Sequence, residues 1–521
     1  MIRAITMCVW SSIPIKTGPE KGLTNSSVAS KLCLAMILIA CLLIGACTDR
    51  TDSAIRFALQ SMPVTLDPRF STDAAGSRIN RLLYQRLVGF DEQFQAKPEL
   101  ADWQQLEDMR YRFILNDMPR QFHHGRQLDA NDVAVTYRYI LNADNASPHR
   151  SSLDMIERIE VIDDKTLDFY LSESDVLFPS RLGIAILPAE LITSNHNFRQ
   201  EPIGSGVFKF VASPSPTQLQ LERLADKQRV DFIHVPNPTT RVLKLVNNEI
   251  DMMQNDISPE LVAYLEGKPG IQVQRHKGSN FTYLGMNFQS ARLSSPLVRE
   301  AIAYAVDRKE IIHYLFQDTA QLANTILVSD HWAGNPDLMD YAYNPIRAKE
   351  LLKQAGYDKE SPLELSYKTS SDPLRIRLAT VIQSQLERVG IKIDIRTYDW
   401  GTFYGDIKAG RFQLYSLSWV GIKSPDIFRY VFHSDSIPPE GANRGRYINH
   451  QVDNLIEAAT TEHNIDKQVD YYKEIQEKIH TDLPYIPLWY KDHVLLMRDE
   501  IVGFDMTIDG NYDGLKTVRR Q

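Results

Sequence analysis

Apolar and polar residues along this chain follow two periods, one near two and one near 3.6. Alternation over Ile55–Leu59, Tyr111–Leu115 and Thr166–Leu171 predicts strands. From Ser77 to Val88 the apolar positions fall at Ile79, Leu82, Leu83 and Leu87, the stripe of a helix. Asp129, with Asp132 three residues later, reads as the capping pair of another helix. The pattern is clearest over 295–410. Ser295-Pro296 and Asn344-Pro345 each set a capping residue before a proline suited to the first helical position. The first helix carries Val298, Ile302, Ala305 and Val306; the second runs to Gly356, suited to a left-handed closing turn. Leu363–Tyr367 is then a strand, Asp372-Pro373 opens a helix bearing Leu378, Ile382, Leu386 and Val389, and Ile391–Arg396 alternates strictly after Gly390. Strand, helix and strand joined by short links make a βαβ unit, which demands parallel pairing. The fold class is α/β.

With 521 residues, 43 % hydrophobic and 24 % charged, the chain has material for about three structural units at roughly 150 residues each. The cysteines alter the picture. All four (Cys8, Cys33, Cys41 and Cys47) precede position 48, so the body can hold neither a disulfide framework nor a cysteine zinc site. After Lys31 come thirteen largely apolar residues, Leu32 to Ile44, too few for a spanning helix of about 20. They suit the apolar core of a secretory signal. Leu43-Ile44-Gly45-Ala46-Cys47 resembles the lipobox of bacterial lipoproteins, which implies cleavage before Cys47, a lipid on its thiol and a tether over 47–54. The membrane (inner or outer) stays open. Net charge is −8. Removal of 1–46 takes Arg3, Lys16, Lys21 and Lys31 but only Glu20, leaving a more acidic body and no case for a nucleic-acid partner.

Enzyme signatures are missing from the sequence: no nucleophile elbow, phosphate-binding loop, HExxH or dinucleotide fingerprint occurs. Adjacent His123 and His124 would point to opposite sides of an extended chain, so they read as structural rather than as metal ligands. Pro202 to Phe208 (PIGSGVF) lacks a strand–glycine–helix setting and reads as a tight backbone corner. No catalysis, cofactor or metal site is expected.

Taken in order, several segments resemble the extracellular solute-binding protein family 5, the peptide-, opine- and nickel-chelate-binding proteins of bacterial ABC importers. They are Thr65-Leu66-Asp67-Pro68, Tyr84 to Val88, Pro98 to Ala101 with Trp103, and Phe122 to Gly125 with Leu128, Ala130, Asp132 and Val133. Then follow Pro202 to Phe208, Asn287, Arg299 to Arg308, Asn344-Pro345 to Tyr357, Trp400, Ser418 to Gly421, and Pro484 to Leu488. The resemblance implies a periplasmic-binding-protein-like type II fold, two lobes around a ligand cleft. Lobe I would comprise 55–82, 203–284 and 488–521, with a subdomain, 83–202, inserted in it. Lobe II would be 285–487, and a hinge would lie near Tyr283–Asn287 and Pro487–Tyr490. A monomer is expected, with a peptide or other small solute as ligand and the importer's permease and ATPase as partners. The alternatives are a metal chelate as ligand, or a sensory or scaffold lipoprotein reusing the fold.

By the same resemblance the cleft is lined by the loop carrying Ser71, Thr72, Asp73 and Ala74, and opposite it by Ser418, Trp419, Val420 and Gly421. Peptide-binding members commonly carry, three residues after this tryptophan, an aspartate that pairs with the peptide amine. Here that place holds Ile422, followed by Lys423. Asp426 or Asp73 is then expected to take a cationic ligand end. Arg444 and Arg446 are read either as donors to a ligand carboxylate or as parts of a solvated loop, and Tyr398 and Trp400 either as pocket or as packing.

Overall fold

The structure, a computed structural model, describes residues 54–117 and 120–521. The signal segment 1–46, Cys47 and the tether up to Ser53 lie outside these described residues. Eleven strands form the main sheet: β1 (Ile55–Leu59), β2 (Phe208–Ser215), β3 (Gln218–Arg223), β4 (Arg229–His234), β5 (Met252–Gln254), β6 (Ile271–Met286), β7 (Ala320–Leu322), β8 (Leu363–Ser370), β9 (Ile391–Tyr398), β10 (Leu414–Trp419) and β11 (Tyr485–Arg498). Their spatial order is β9-β8-β10-β6-β11-β5-β1-β4-β3-β2, with β7 paired to β11.

The βαβ reading is realised locally. β8 and β9 pair in parallel from Leu363 opposite Ile391 to Ser370 opposite Tyr398, with the helix Pro373–Glu387 between them. Asp372 caps that helix by accepting the Arg375 N–H at 3.0 Å, and Gly390 adopts a left-handed φ of 95° after it. Asp129 and Asp132 form the expected reciprocal capping box, each accepting the other's backbone N–H at 3.1 and 2.9 Å. Ser295 precedes its helix without making a side-chain cap bond. The helix read over 77–88 is instead Ala74–Leu83. Asp73 starts it by accepting the Gly76 N–H at 2.8 Å, and the Gly206 N–H takes the Leu83 carbonyl at 2.9 Å where it ends.

Two wings flank a central ribbon. In the first wing, Ile55, Phe57, Leu82, Phe208 and Phe232 pack with Leu495 and Met497 of β11. In the second, Leu363, Leu378 and Ile391 pack with Leu284 of β6 and Leu488 of β11, and an aromatic core gathers Tyr283, Tyr415, Tyr447 and Tyr485. β6 and β11 pair antiparallel from Ile271–Arg498 to Gly285–Tyr485 and so enter the cores of both wings, with register shifts between His276 and Asn280 and between Thr282 and Tyr283. A separate four-stranded sheet, ordered Ala101–Glu107, Arg110–Leu115, Thr166–Leu171, Ile156–Val161, packs on the helix Ala130–Leu141 through Phe113, Tyr137 and Phe169.

The 202–208 corner shows why its glycines are needed. Neither Gly204 nor Gly206 has a positive φ; the requirement is close approach. A Cβ on Gly204 would strike the carbonyl oxygen of Leu83, and one on Gly206 that of Leu82. His123 pins the corner, its Nε2 donating to the Gly206 carbonyl at 3.0 Å and its backbone N–H to the Gly204 carbonyl at 2.8 Å. His124 turns away to Glu190 at 2.9 Å. Gly204→Ala should therefore lower the denaturation midpoint by the equivalent of about 1–3 kcal/mol, the usual cost of overpacking, with an unchanged denaturant slope. An unaltered midpoint in a urea titration would refute this account of the corner.

Candidate functional site

β10 runs parallel to β8, so the carboxyl ends of β8, β9 and β10 lie together. In open α/β sheets such strand ends face the ligand crevice. Beyond Trp419 the chain turns at Gly421, whose φ of 72° is the left-handed conformation that favours glycine. The residues that follow stay packed on the second wing and send side chains across to the first. Ile422 is buried in the aromatic core of the second wing, while Lys423 reaches outward to Asp509 at 2.9 Å and lies 5.5 Å from the Phe90 ring centroid. Burial alone would raise the Asp509 carboxyl, but the Lys423 ammonium holds it well below the usual carboxylate range.

Asp426 meets Arg181 through two bonds of 2.9 and 2.8 Å, and Arg181 also holds Asp175 at 2.6 Å. Nearby, Ser180 and Ser424 hydroxyls meet at 3.3 Å, and the Val176 N–H donates to the Thr460 carbonyl at 3.0 Å. The His331 ring stacks on Phe94 at 5.4 Å and 13°. These contacts border a crevice of about 230 Å³ lined by Phe94, Trp103, Leu177, Trp332 and Pro425.

Arg444 lies on the second wing below this crossing. Its guanidinium donates to the Tyr283 and Tyr404 hydroxyls, each at 3.1 Å, and sits 4.7 Å from the Trp419 ring. Arg446 has a left-handed φ of 58° and spends its guanidinium on the carbonyls of Arg444 and Lys408, at 2.9 and 2.8 Å. The two arginines are thus separated: Arg446 ties down the loop, and Arg444 meets the aromatic wall. Ser418 bonds Thr282 at 2.9 Å, and Val420 is exposed. Trp400 is exposed and stacks on Tyr404 at 5.5 Å, whereas Tyr398 packs 5.1 Å from Lys368.

On the first wing, Thr72 and Ala74 are exposed while Ser71 is buried. Asp73 is occupied as a helix cap and also accepts the Val64 N–H at 3.2 Å. Neither carboxylate expected to take a cationic ligand end stands idle, because Asp426 is committed to Arg181 and Asp73 to backbone. Sequence reasoning missed Arg181, Asp509, His331 and Phe94. No local signal marks them, since each matters through a partner dozens to hundreds of positions away.

The model described as bacterial extracellular solute-binding proteins, family 5 middle, matches residues 95–437. The chain belongs to this family. A dipeptide-binding protein of Escherichia coli (strain K12) is 27 % identical over 462 residues, covering 81 % of this chain and 86 % of that protein. Heme-binding protein A of Haemophilus influenzae is 26 % identical over 531 residues, covering 91 % and 96 %. Among solved structures, NikZ from Campylobacter jejuni in complex with Ni(L-His) is 25 % identical, with a TM-score of 0.77 and 90 % and 100 % coverage. This family 5 protein is therefore a solute-binding component of an ABC importer, of extracellular or periplasmic placement, in a family of non-enzymatic binding proteins. Among the described residues no helix is long and apolar enough to cross a membrane.

The His331 contact carries a pH dependence. Its Nδ1 accepts the Ala333 N–H at 3.0 Å and its Nε2 donates to the Lys423 carbonyl at 3.2 Å, which suits the neutral ring. Burial pulls the imidazole from 6.5 to about 4, against the opposing Lys423 carbonyl bond and the Asp91 carboxylate. The buried arrangement thus binds fewer protons than one in which the ring meets water. Its advantage is full above 6.5 and is lost as pH falls through 6.5 toward about 4. Small-angle scattering should show the wings parting over that window, and His331→Gln should flatten the change. An identical pH profile in the variant would sink the assignment to His331.

Proposed function

We propose that this protein captures oligopeptides or similar small solutes between its two wings and delivers them to the importer's permease. The wings then act as lobe I (55–82, 203–284 and 488–521, with 83–202 inserted) and lobe II (285–487). Cys47 carries the lipid that tethers the chain at the membrane, and the protein works as a monomer. The observation that carries this reading is the row of contacts across the wings, Lys423–Asp509 and Asp426–Arg181, beside the wall formed by Trp419 and Arg444. Thr72, Ala74, Ser418, Trp419, Val420, Gly421 and Arg444 are the ligand-facing set. Asp73 and Asp426 serve instead to shape the loop and to hold the wings together. A ligand touching both wings stabilises the closed form by its preference for that form.

A metal chelate is the second reading, supported by the relatives named for heme and for Ni(L-His). No cluster of three or more His, Cys, Asp or Glu side chains suited to a metal occurs among the described residues, so a metal would arrive within its own ligands.

Native mass spectrometry of the purified protein should reveal a co-purified small solute. A thermal-shift screen with di- to pentapeptides should contain stabilising members, since a ligand at 100 Kd adds about 2.7 kcal/mol. Stabilisation by a nickel–histidine complex alone, with silence across the peptides, would overturn the peptide reading.

A further inference from the structure

The charges near the crossing between the wings are unevenly satisfied. Among the buried arginines, Arg69, Arg223 and Arg308 each face a carboxylate. Arg120, Arg241 and Arg299 spend their donors on backbone carbonyls. Arg444, only 7 % exposed, has neither kind of partner among the described residues. Its acceptors are two phenol oxygens, and its other neighbours are the faces of Trp419 and Tyr404. The Trp419 indole N–H is itself buried without an acceptor. Taking a guanidinium out of water is costly, and a cation–π contact returns only part of that cost. A cation and an unsatisfied donor therefore lie side by side at the end of β10.

The opposite sign is spoken for. Asp426 and Asp175 share Arg181, Asp509 holds Lys423, and Asp406 holds Lys368 at 2.5 Å. Asp73 is committed to backbone N–H groups. An arriving ammonium group would have to break one of these arrangements, whereas an arriving carboxylate would complete the one at Arg444.

We propose that Arg444 and the Trp419 indole N–H anchor a carboxylate of the solute, and that a free amine is not required for binding. The ligand class is an organic acid, or a peptide recognised by its carboxylate. This proposal rests on the reading of the chain as a solute-binding protein, and the test separates the two.

The chain from Cys47 onward, labelled with 5-fluorotryptophan, is titrated with sodium acetate at constant ionic strength. Trp419→Phe identifies the resonance to follow. Saturable movement of that resonance is expected, abolished in Arg444→Gln and partly retained in Arg444→Lys. Absence of a saturable response in the wild-type chain, or an equal response in folded Arg444→Gln, overturns the proposal; the wild-type arm decides even if a variant fails to fold. Calorimetry with tri-alanine, its N-acetyl form and its C-terminal amide follows. N-acetylation should change affinity by less than about threefold and amidation should weaken it by about tenfold or more, as loss of a charge-assisted anchor would. The reverse order also overturns it. An acetate response that depends on Arg444, with no binding of any tri-alanine form, upholds the anion anchor and counts against the peptide reading alone.

Discussion

The antiparallel pairing of β6 with β11 is the constraint on which the other features depend. Sixteen and fourteen residues long, these strands lend apolar side chains to the cores of both wings while their backbones satisfy each other. A strand pair cannot be cut between the two cores without leaving buried N–H and C=O groups unpaired, so the wings are bound to one ribbon. The ribbon is irregular in two places. Between His276 and Asn280 the register shifts, and a Cβ on Gly278 would strike the Lys491 carbonyl. A second register shift lies between Thr282 and Tyr283. Bulged pairing raises local twist.

Away from the ribbon, further contacts join the wings. Many are polar: the Lys423–Asp509, Asp426–Arg181 and Arg377–Glu260 ion pairs, one hydroxyl pair, the backbone bonds from Val176 to Thr460 and from Trp332 to Gln93, and the His331–Phe94 stack, while Leu177 is buried in the aromatic core of the second wing. The Lys423–Asp509 and Asp426–Arg181 side chains are mostly buried, so the cost of taking their charges out of water offsets much of their attraction. A dry apolar interface of the same extent would hold the wings shut.

Local features were legible in the sequence and long-range ones were not. The βαβ unit over 363–396 and the Asp129–Asp132 box could be read because their determinants lie within one element. The helix beginning at Ala74 was read with the wrong limits. Its stop is imposed by the Gly206 N–H, which arrives from more than a hundred residues downstream, and the apolar period continues through Leu87 and Val88 because they join another core. Arg444 and Arg446 look alike as sequence; only the left-handed turn at Arg446 and the carbonyls around it separate their roles. Arg181 and Asp426, 245 positions apart, had no local signature.

The pair Ile422-Lys423 shows how one change in sequence can redistribute charge across a cleft. An extended chain sends neighbouring side chains to opposite sides. With Ile422 pointing into the aromatic core, Lys423 must point out of it, and there it meets Asp509 on the other wing. A carboxylate at the first of these positions would need a cation from elsewhere, whereas isoleucine needs only the apolar surroundings it has. The second position brings a positive charge and pairs it with Asp509 across the wings. The lysine that joins the wings thereby also commits Asp509, whose carboxylate is paired rather than open.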